Sequence, residues 1–365
     1  MKVLVLSNVP SPYFVDFMNE LGKFCDLTVV FEKKTSTIRD KSWLNFRFIN
    51  FKGVILKGIP TGEANAFSPG VRKFLKKGMF DQIIVTNMCT PTGMYAVSIL
   101  KRRKIPYMLQ SEGGIAKDGK GWKERLKKHI MRGAAGYLST TKLGAEYFLQ
   151  YGATKDKLHK FIFPSLYDKE VLKEPVCMEE KRRLREERGI SENKAIISVG
   201  QFIYRKGFDV LLKAAEGFPE SVGFYFVGGE PTEEYLELQR KLDLKNVHFI
   251  GFKNKESLLK YYRAADLFVL PTREDTWGLV INEAMAQGLP VITTTRCVAG
   301  TEFVQDGETG YLVPPDDVGA LHDAMEKVIF DNALLEKMSE NSLKKAQGYT
   351  FEKAAARHME ILNER

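Results

Sequence analysis

Apolar residues along this chain fall into short continuous runs, separated by longer segments in which they recur at helical spacing. In the first half, KVLVLS (Lys2 to Ser7), DLTVVFE (Asp26 to Glu32), DQIIVTN (Asp81 to Asn87), IPYMLQSE (Ile105 to Glu112), GYLST (Gly136 to Thr140) and KFIFP (Lys160 to Pro164) read as strands. FRFIN (Phe46 to Asn50) is a further candidate strand, while Ser11 to Phe24 and Pro69 to Lys77 read as helices. The pattern is lost between Ser165 and Asn193, a polar, charge-rich stretch interrupted by Pro175. It resumes with AIISVG (Ala195 to Gly200), FYFVGG (Phe224 to Gly229), NVHFIG (Asn246 to Gly251), DLFVL (Asp266 to Leu270) and PVITT (Pro290 to Thr294). GETGYLVP (Gly307 to Pro314) is a turn with a short extended run, and helices from Val318 onward close the chain. Strands that are apolar on both faces and alternate with helices call for parallel sheets covered on both sides.

The expected fold is therefore α/β, with two Rossmann-like doubly wound parallel-sheet domains and an intervening cleft. The first domain is expected over residues 1–170, a linker and charged helix over 171–193, and the second domain over 194–350. A length of 365 residues with 44% hydrophobic content supports two such cores. In doubly wound sheets, ligands sit beyond the carboxyl ends of the strands.

Composition narrows the chemistry. No apolar run approaches the roughly 20 residues that span a bilayer, and MKVLVLSNVPSPY reads as a strand entering a loop rather than an export leader. The expected location is cytoplasmic. Four cysteines (Cys25, Cys89, Cys177, Cys297) and five histidines (His129, His159, His248, His322, His358) show no paired ligand spacing, so no protein metal site is expected. The net charge of +9 points to an anionic partner: nucleic acid, a phosphorylated substrate or an acidic membrane. Basic residues concentrate at Lys117 to Arg132 and at Lys181 to Arg188, the latter interleaved with acids like a solvated helix face.

The most informative stretch is Pro271 to Thr294, PTREDTWGLVINEAMAQGLPVITT. It reads as a strand exit, a polar loop, and a helix opening near Trp277–Gly278 and stopping at Gly288–Leu289–Pro290. A helix N-terminus at the edge of a sheet attracts anionic oxygens. Asp275 lies in the loop, and Glu283 interrupts an otherwise apolar helix, where a carboxylate has to be solvated, paired or bound to a ligand hydroxyl. Two further loops follow strands. One carries Arg205 and Lys206 ahead of Gly207, suited to a diphosphate or else ordinary surface cations. The other carries Phe252 and Lys253, an aromatic that either receives a flat base or caps the core.

Taken together, VGQFIYRKG (Val199 to Gly207), FVGGE (Phe226 to Glu230), FIGF (Phe249 to Phe252), YYRAADLFVLPTREDTWGLVINEAMAQGLPVITT and GETGYLVPPDD resemble the nucleotide-sugar-binding domain of glycosyltransferase family 4. The resemblance covers nearly all of the second half. LSNVPSPYFVDFMNEL (Leu6 to Leu21) and QSEGG (Gln110 to Gly114) resemble acceptor-domain segments of bacterial members that build surface polysaccharides. The resemblance implies the GT-B fold, with a last helix (residues 351–365) packing back on the first domain. It implies a retaining, metal-independent transfer of a hexose-type sugar from a nucleoside diphosphate sugar, the UDP-sugars being commoner among such relatives. The nucleotide sugar is a substrate, and no cofactor is expected.

The family's pair of acids separated by seven residues falls on Asp275 and Glu283. Glu283 would hold the ribose and Asp275 the sugar hydroxyls. Thr276 and the backbone N–H groups of Trp277, Gly278, Leu279 and Val280 would meet sugar and phosphate, with Phe252 and Lys253 also at the donor. Arg205 and Lys206 would neutralise the leaving diphosphate, and they join Asp275 and Glu112 as expected catalytic residues. The sequence departs from the family pattern twice. Asp275 stands where many members have glutamate, with Glu274 beside it at the wrong spacing, and Gln201 stands where a phosphate-binding arginine is frequent.

On the acceptor side, the loop Asn8 to Tyr13 is expected to face the acceptor through Asn8, Ser11 and Tyr13. Glu112 either orients the acceptor or is a salt-bridged loop residue. Lys120 to Arg132 places Trp122, Leu126 and Ile130 near one face, which suits either an anionic membrane surface or packing on its own sheet. The expected partners are a nucleoside diphosphate sugar and a glycan or lipid-linked acceptor in polysaccharide, lipopolysaccharide or glycolipid assembly, with peripheral contact at the inner face of the membrane. No nucleic acid is expected, since charge alone suggests one. SNVPSP lacks the glycines of a dinucleotide-binding turn, which argues against a nicotinamide-dependent oxidoreductase. The alternative is a nucleotide-sugar epimerase or another non-transferring enzyme of the same fold.

Overall fold

The structure, a computed structural model, describes residues 1–35, 46–114, 119 and 121–364. Lys117, Asp118 and Lys120 of the expected basic segment lie outside the described residues. The chain divides into two units, Met1–Pro164 with Thr350–Arg365, and Ser165–Tyr349.

The first unit runs β1 (Lys2–Ser7), α1 (Pro12–Leu21), β2 (Asp26–Phe31), β3 (Lys52–Ile55), β4 (Ile59–Pro60), β5 (Ala66–Phe67), β6 (Gln82–Val85), α2 (Pro91–Arg102), β7 (Met108–Ser111), α3 (Trp122–Met131), β8 (Gly136–Ser139), α4 (Lys142–Gln150) and β9 (Leu158–Lys160). Seven strands form one parallel sheet in the order β3-β2-β1-β6-β7-β8-β9, and β4 with β5 makes a short antiparallel ladder. Successive residues Val3, Leu4, Val5 and Leu6 are each at most 1% exposed, so both faces of β1 are covered.

The second unit continues with α5 (Met178–Arg188), β10 (Lys194–Val199), α6 (Phe208–Ala214), β11 (Val222–Val227), α7 (Glu233–Lys241), β12 (Val247–Ile250), α8 (Lys255–Ala264), β13 (Leu267–Leu270), α9 (Leu279–Ala286), β14 (Val291–Thr294), α10 (Val298–Phe303), β15 (Gly310–Val313), α11 (Val318–Ile329) and α12 (Asn332–Ala346). Its six strands pair in parallel in the order β12-β11-β10-β13-β14-β15. Polar N-caps punctuate the helices of both units: Thr90, Thr141, Asn254, Asp317 and Asp331 each accept a backbone N–H three residues on.

Helix α13 (Phe351–Asn363) belongs to the first unit and packs on α1. His358 sits at that contact between the Phe17 and Phe161 rings, at 4.8 and 5.1 Å. Its Nδ1–H donates to the Ala354 carbonyl at 3.0 Å and its Nε2 faces the Gln110 amide at 3.1 Å. Burial pushes this imidazole down to about 4, so it is neutral in the fold.

Several local expectations are corrected. FRFIN alternates like a strand, yet Asn19 takes the backbone groups that a ladder would use. Its Nδ2 donates to the Arg47 carbonyl at 3.0 Å, and its Oδ1 accepts from the Ile49 and Asn50 N–H groups at 2.8 and 3.2 Å. The third strand therefore starts at Lys52. Pro69 to Lys77 forms only a 3-10 segment, Pro69–Phe74. The KFIFP strand ends its pairing at Lys160, with β9 beginning earlier at Leu158.

Residues 165–170, expected in the first domain, fall in the second unit. There Lys255 Nζ donates to the Ser165 carbonyl (3.1 Å) and the Glu170 carboxylate (2.8 Å). The charged helix expected within 171–193 forms as α5 and falls in that unit as well. Its Lys181 (2.9 Å) and Arg185 pair with Asp266, a carboxylate 6% exposed that also accepts the Ala195 N–H at 2.8 Å.

Candidate functional site

The carboxyl edge of the second sheet carries most of the expected site residues. Strands β10 and β13 are parallel neighbours, so the loops leaving them run side by side. Gly207 is the crossing point. Its φ is +68°, and a Cβ there would lie 2.1 Å from the Pro271 carbonyl oxygen, so only glycine lets the two loops approach this closely.

Several contacts then lock the loops together. The Arg273 N–H and the Thr272 hydroxyl both donate to the Arg205 carbonyl, at 2.9 and 2.8 Å. The Arg273 guanidinium donates to the Tyr204 carbonyl at 2.6 Å and lies 3.9 Å over the Tyr204 ring. The same guanidinium grips Asp209 through both terminal nitrogens (2.8 and 2.7 Å) and Asp316 through Nε (2.6 Å).

The loop after β13 is pinned on its other side by the segment before α10. The Asp275 N–H donates to the Arg296 carbonyl (3.1 Å), and the Val298 and Ala299 N–H groups donate to the Asp275 and Trp277 carbonyls (3.2 and 2.8 Å). This pairing sends alternate side chains to opposite sides. Asp275, 8% exposed, faces inward against Lys206 Nζ at 2.5 Å and Arg205 at 3.3 Å. Glu274 faces Arg296 at 3.6 Å, and its backbone carbonyl accepts from Arg205 at 2.8 Å. Of the two adjacent acids, Asp275 is the one brought to the two cations.

Immediately beyond lies the start of α9, capped by Gly278 at φ +99°. A Cβ on Gly278 would lie 2.9 Å from Cys297 Sγ, so glycine is required here too. The first N–H groups of a helix have no intrahelical partners. Two cations held by one carboxylate at this helix end leave net positive charge available to an anionic group. Burial pushes the nearby Cys297 thiol up to about 12, so it is a packing residue and not a nucleophile. Thr276 is exposed, Trp277 is buried, and Leu279 and Val280 are half-buried.

Glu283 lies one helical turn past Leu279 and Val280, on the same side of α9. It is half-buried, and burial pushes its carboxyl up, opposed by Lys255 and by the Tyr262 hydroxyl and reinforced by Glu170. The Tyr262 hydroxyl reaches it at 3.4 Å, a long hydrogen bond that leaves capacity for another donor. Phe252 and half-buried Lys253 follow β12, two strands from β10 and so roughly 10 Å away along the sheet edge. Phe252 is 58% exposed and does not cap the core.

In the first unit, Asn8 to Tyr13 follows β1 and Glu112 follows β7, at the same edge of the sheet with β6 between them. Asn8 Oδ1 accepts the Val9 N–H at 2.8 Å, Ser11 is buried at the start of α1, and Tyr13 meets Phe163 edge-on at 5.6 Å. Glu112 is half-buried, and its carbonyl accepts the Thr140 hydroxyl at 2.7 Å. A further carboxylate at this edge is Glu32, 2% exposed and not expected from sequence. It accepts from the Ala66 N–H (3.0 Å), Asn87 and Thr90, and burial pushes it up against those bonds. The signal was present, since an acid directly follows the apolar run DLTVVF. Arg273, Asp209 and Asp316 were missed as well, because only the fold brings the last two to Arg273.

Comparison with known proteins follows the same lines. Residues 180–345, which contain the whole of the second-unit site, match the family model described as glycosyl transferases group 1. The lipopolysaccharide core biosynthesis glycosyltransferase LpsE of Rhizobium meliloti is 31% identical over 146 residues, 40% of this chain and 42% of LpsE. The lipopolysaccharide glucosyltransferase WaaG of Escherichia coli K12 is 27% identical over 202 residues, 53% of each chain. The chain thus spans about half the length of the curated relatives it matches. Among solved structures, Anabaena HepE in complex with UDP superposes over 100% of both chains with a TM-score of 0.81 at 18% identity. A glycosyltransferase from Rickettsia africae superposes over 100% of this chain and 98% of its own, with a TM-score of 0.77 at 16% identity.

The fold is GT-B. In GT-B terms, the β10–β13 edge with α9 is the part matched by the family model, and the β1–β7 edge lies outside it. Related crystals of HepE hold UDP with glucose, and UDP-glucose.

Proposed function

We propose that this protein is a retaining glycosyltransferase that moves a hexose-type sugar from a UDP-sugar to a hydroxyl of a glycan or lipid-linked acceptor in polysaccharide, lipopolysaccharide or glycolipid assembly. One observation carries the reading. Lys206 and Arg205 converge on Asp275 at the N-terminus of α9, within the segment matched by the glycosyl transferases group 1 model. Arg205 and Lys206 take the diphosphate oxygens together with the first N–H groups of α9. Asp275 and Thr276 address the sugar, Glu283 accepts from the ribose hydroxyls, and Phe252 with Lys253 lies toward the base. The UDP and UDP-glucose held by HepE support the choice of donor.

In the transfer, the acceptor oxygen bonds to the anomeric carbon on the face from which the diphosphate departs. The bond between the anomeric carbon and the phosphate oxygen breaks, its electron pair leaves with UDP, and the acceptor proton passes to a leaving phosphate oxygen. Arg205 and Lys206 stabilise the charge that grows on that group, and no metal or organic cofactor is assigned a part. On the acceptor side, Asn8, Ser11, Tyr13 and Glu112 orient the attacking hydroxyl.

Among the described residues, no helix is long and apolar enough to cross a membrane. We place the enzyme in the cytoplasm, touching an anionic membrane surface through α3. Ile130 and Met131 anchor that helix in the fold, while Trp122 (70%) and Leu126 (38%) are exposed along with most of its basic residues. The three apolar residues expected on one face thus divide, with only Ile130 packed inward.

A thermal-shift screen against nucleotide sugars tests the reading. A ligand at 100 times its Kd adds about 2.7 kcal/mol to folding stability, and a UDP-sugar should do so while Lys206→Met abolishes the shift. Absence of any shift with the whole panel would refute donor binding. NMR of the product anomer decides the stereochemistry, and an inverted product would overturn retention. Conversion of nucleotide sugar in the absence of acceptor would favour an epimerase instead.

A further inference from the structure

An ionised carboxylate on an apolar helix needs a cation nearby. Glu283 stands on α9, which carries no other charged side chain, and the Tyr262 hydroxyl that reaches it at 3.4 Å is a neutral partner. Burial, reinforced by the Glu283 charge, pushes that phenol well above its ordinary value of 10, so it donates and stays uncharged. The cation comes from Lys255, two turns before Tyr262 on the same face of α8, a helix that packs on α9. Lys255 Nζ donates to the Ser165 carbonyl at 3.1 Å, and the Ser165 hydroxyl oxygen accepts at 3.1 Å from Asn282, the residue before Glu283. Ser165 thus sets the ammonium beside the turn of α9 that carries Glu283. Among the influences on that carboxyl, the Lys255 charge is the largest that opposes burial.

The same ammonium is shared with a second acid. Glu170, at the end of the turn Asp168–Glu170, accepts from Lys255 Nζ at 2.8 Å and from the Tyr167 N–H at 2.8 Å. Its charge acts on Glu283 in the opposite direction and adds to burial. Stapling residues 165–170 to α8 is the ordinary explanation of Lys255, yet other bonds already hold that segment. Gln287 Nε2 donates to the Glu170 carbonyl at 2.8 Å, and the Leu172 N–H donates to the Ala286 carbonyl at 3.0 Å. Other charged groups on the helices packed around α9 are engaged elsewhere. Arg263 of α8 donates to the Gln287 side chain at 2.7 Å, Glu302 of α10 is bonded to the Tyr349 hydroxyl, and Lys337 of α12 meets Glu308 at 3.2 Å.

We propose that Lys255 is a positioning residue of the donor site: it keeps Glu283 ionised toward the ribose hydroxyls, and Glu170 competes with Glu283 for it. The proposal rests on the donor reading of α9 and adds the two residues that set the charge of its ribose acid.

The test is calorimetric titration of the full chain with UDP and with 2′-deoxy-UDP, from mildly acidic to neutral pH. The two diphosphates titrate alike, so the ratio of the affinities isolates the 2′-hydroxyl. In the wild type that ratio should be about tenfold at neutral pH and fall toward one in acid, as Glu283 takes up a proton. Lys255→Met should move the midpoint of the fall up by about 1 pH unit, Lys255→Arg should bring it back, and Glu170→Gln should move it down. A stapling role alone predicts weaker binding of both nucleotides with the midpoint unmoved.

An unmoved midpoint, or one displaced in the same direction by Lys255→Met and Glu170→Gln, overturns the proposal. Circular dichroism at each pH shows which variants are folded, and if Lys255→Met is not, the direction of the Glu170→Gln displacement decides alone. A wild type that binds UDP with a ratio independent of pH overturns the role of Lys255 and leaves the transferase reading standing. A wild type that binds neither nucleotide overturns both.

Discussion

Arg273 should matter to catalysis although it is not among the residues placed on the donor. Replacing it with methionine keeps an apolar chain over the Tyr204 ring but removes the guanidinium that ties Tyr204, Asp209 and Asp316 together. The bidentate pair with Asp209 is the strong part, because that carboxylate is 27% exposed, whereas Asp316 is 54% exposed and its bond contributes little. Discounted for this exposure, the loss is about 2–3 kcal/mol. For a unit of this size that lowers Tm by roughly 4–12 °C.

Burial pushes the Asp209 carboxyl up, and the hydrogen bonds and charge of Arg273 more than offset this, leaving it below its ordinary value of 3.8. The stabilisation is therefore present above that value and lost as pH falls through the lower folded pKa, so the wild type and Arg273→Met should converge in stability in strong acid. The catalytic effect has a separate origin. Without the clamp, the turn carrying Arg205 and Lys206 is free to shift, and a displacement of 1 Å at a reacting centre costs about a hundredfold in rate. Steady-state kinetics with varied donor, at a temperature where circular dichroism shows both proteins folded, should give a large fall in kcat/KM. Arg273→Lys should recover only part, since an ammonium cannot span both oxygens of Asp209 and the Tyr204 carbonyl together. A lowered Tm with unchanged kcat/KM would refute the positioning role and leave Arg273 purely structural.

Other changes have distinct signatures. Donor affinity measured against pH should fall in acid with a midpoint above the ordinary glutamate value of 4.5, because burial raises Glu283 and its ionised form is the better acceptor. Glu283→Gln should weaken the donor by about tenfold and flatten that dependence. Gly278→Ala should cost about 1–3 kcal/mol and much of the donor affinity, as it forces φ +99° on a residue with a Cβ and crowds Cys297; calorimetry with and without UDP separates the two. His358 is held neutral down to about 4, so the unfolded chain binds more protons between that value and 6.5. Stability should then decline by up to about 3 kcal/mol as pH falls through this window, and His358→Phe should remove that slope in chemical denaturation.

The strands were legible because most are buried on both faces, and a continuous run such as LFVL (Leu267 to Leu270) is read the same way in sequence and structure. FRFIN shows where such reading stops. Its alternation is real, but the partner that decides the outcome is Asn19, on a helix 28 residues earlier. Arg205, Lys206 and Asp275 stood out in sequence by their positions after strands, and Glu283 as the acid that interrupts an apolar helix. The inward turn of Asp275 was open in sequence because a one-residue shift swaps it with Glu274, and the decision comes from backbone pairing with Arg296 to Ala299. The Arg273 clamp was invisible for a related reason, as Asp209 and Asp316 lie 64 and 43 residues away along the chain. Short-range pattern identifies elements and their ends, whereas long-range pairing selects which side chain of an adjacent pair faces the site.

That selection bears on how the donor edge works. Lys206 and Arg205 are not bare charges awaiting a ligand, for Asp275 already holds both. A diphosphate entering this edge therefore exchanges one anionic partner for another and gains less than two free cations would give. In return the cations are fixed in place before the leaving group develops its charge, which is the condition under which electrostatic stabilisation acts without reorganisation. Under the proposed function, the Asp275 carboxylate, freed from the cations by the exchange, turns to the hydroxyls of the transferred sugar. In the proposed function, the acid that holds the cations and the acid that reads the sugar are then the same residue, and the short reach of aspartate would tie sugar recognition to arrival of the diphosphate.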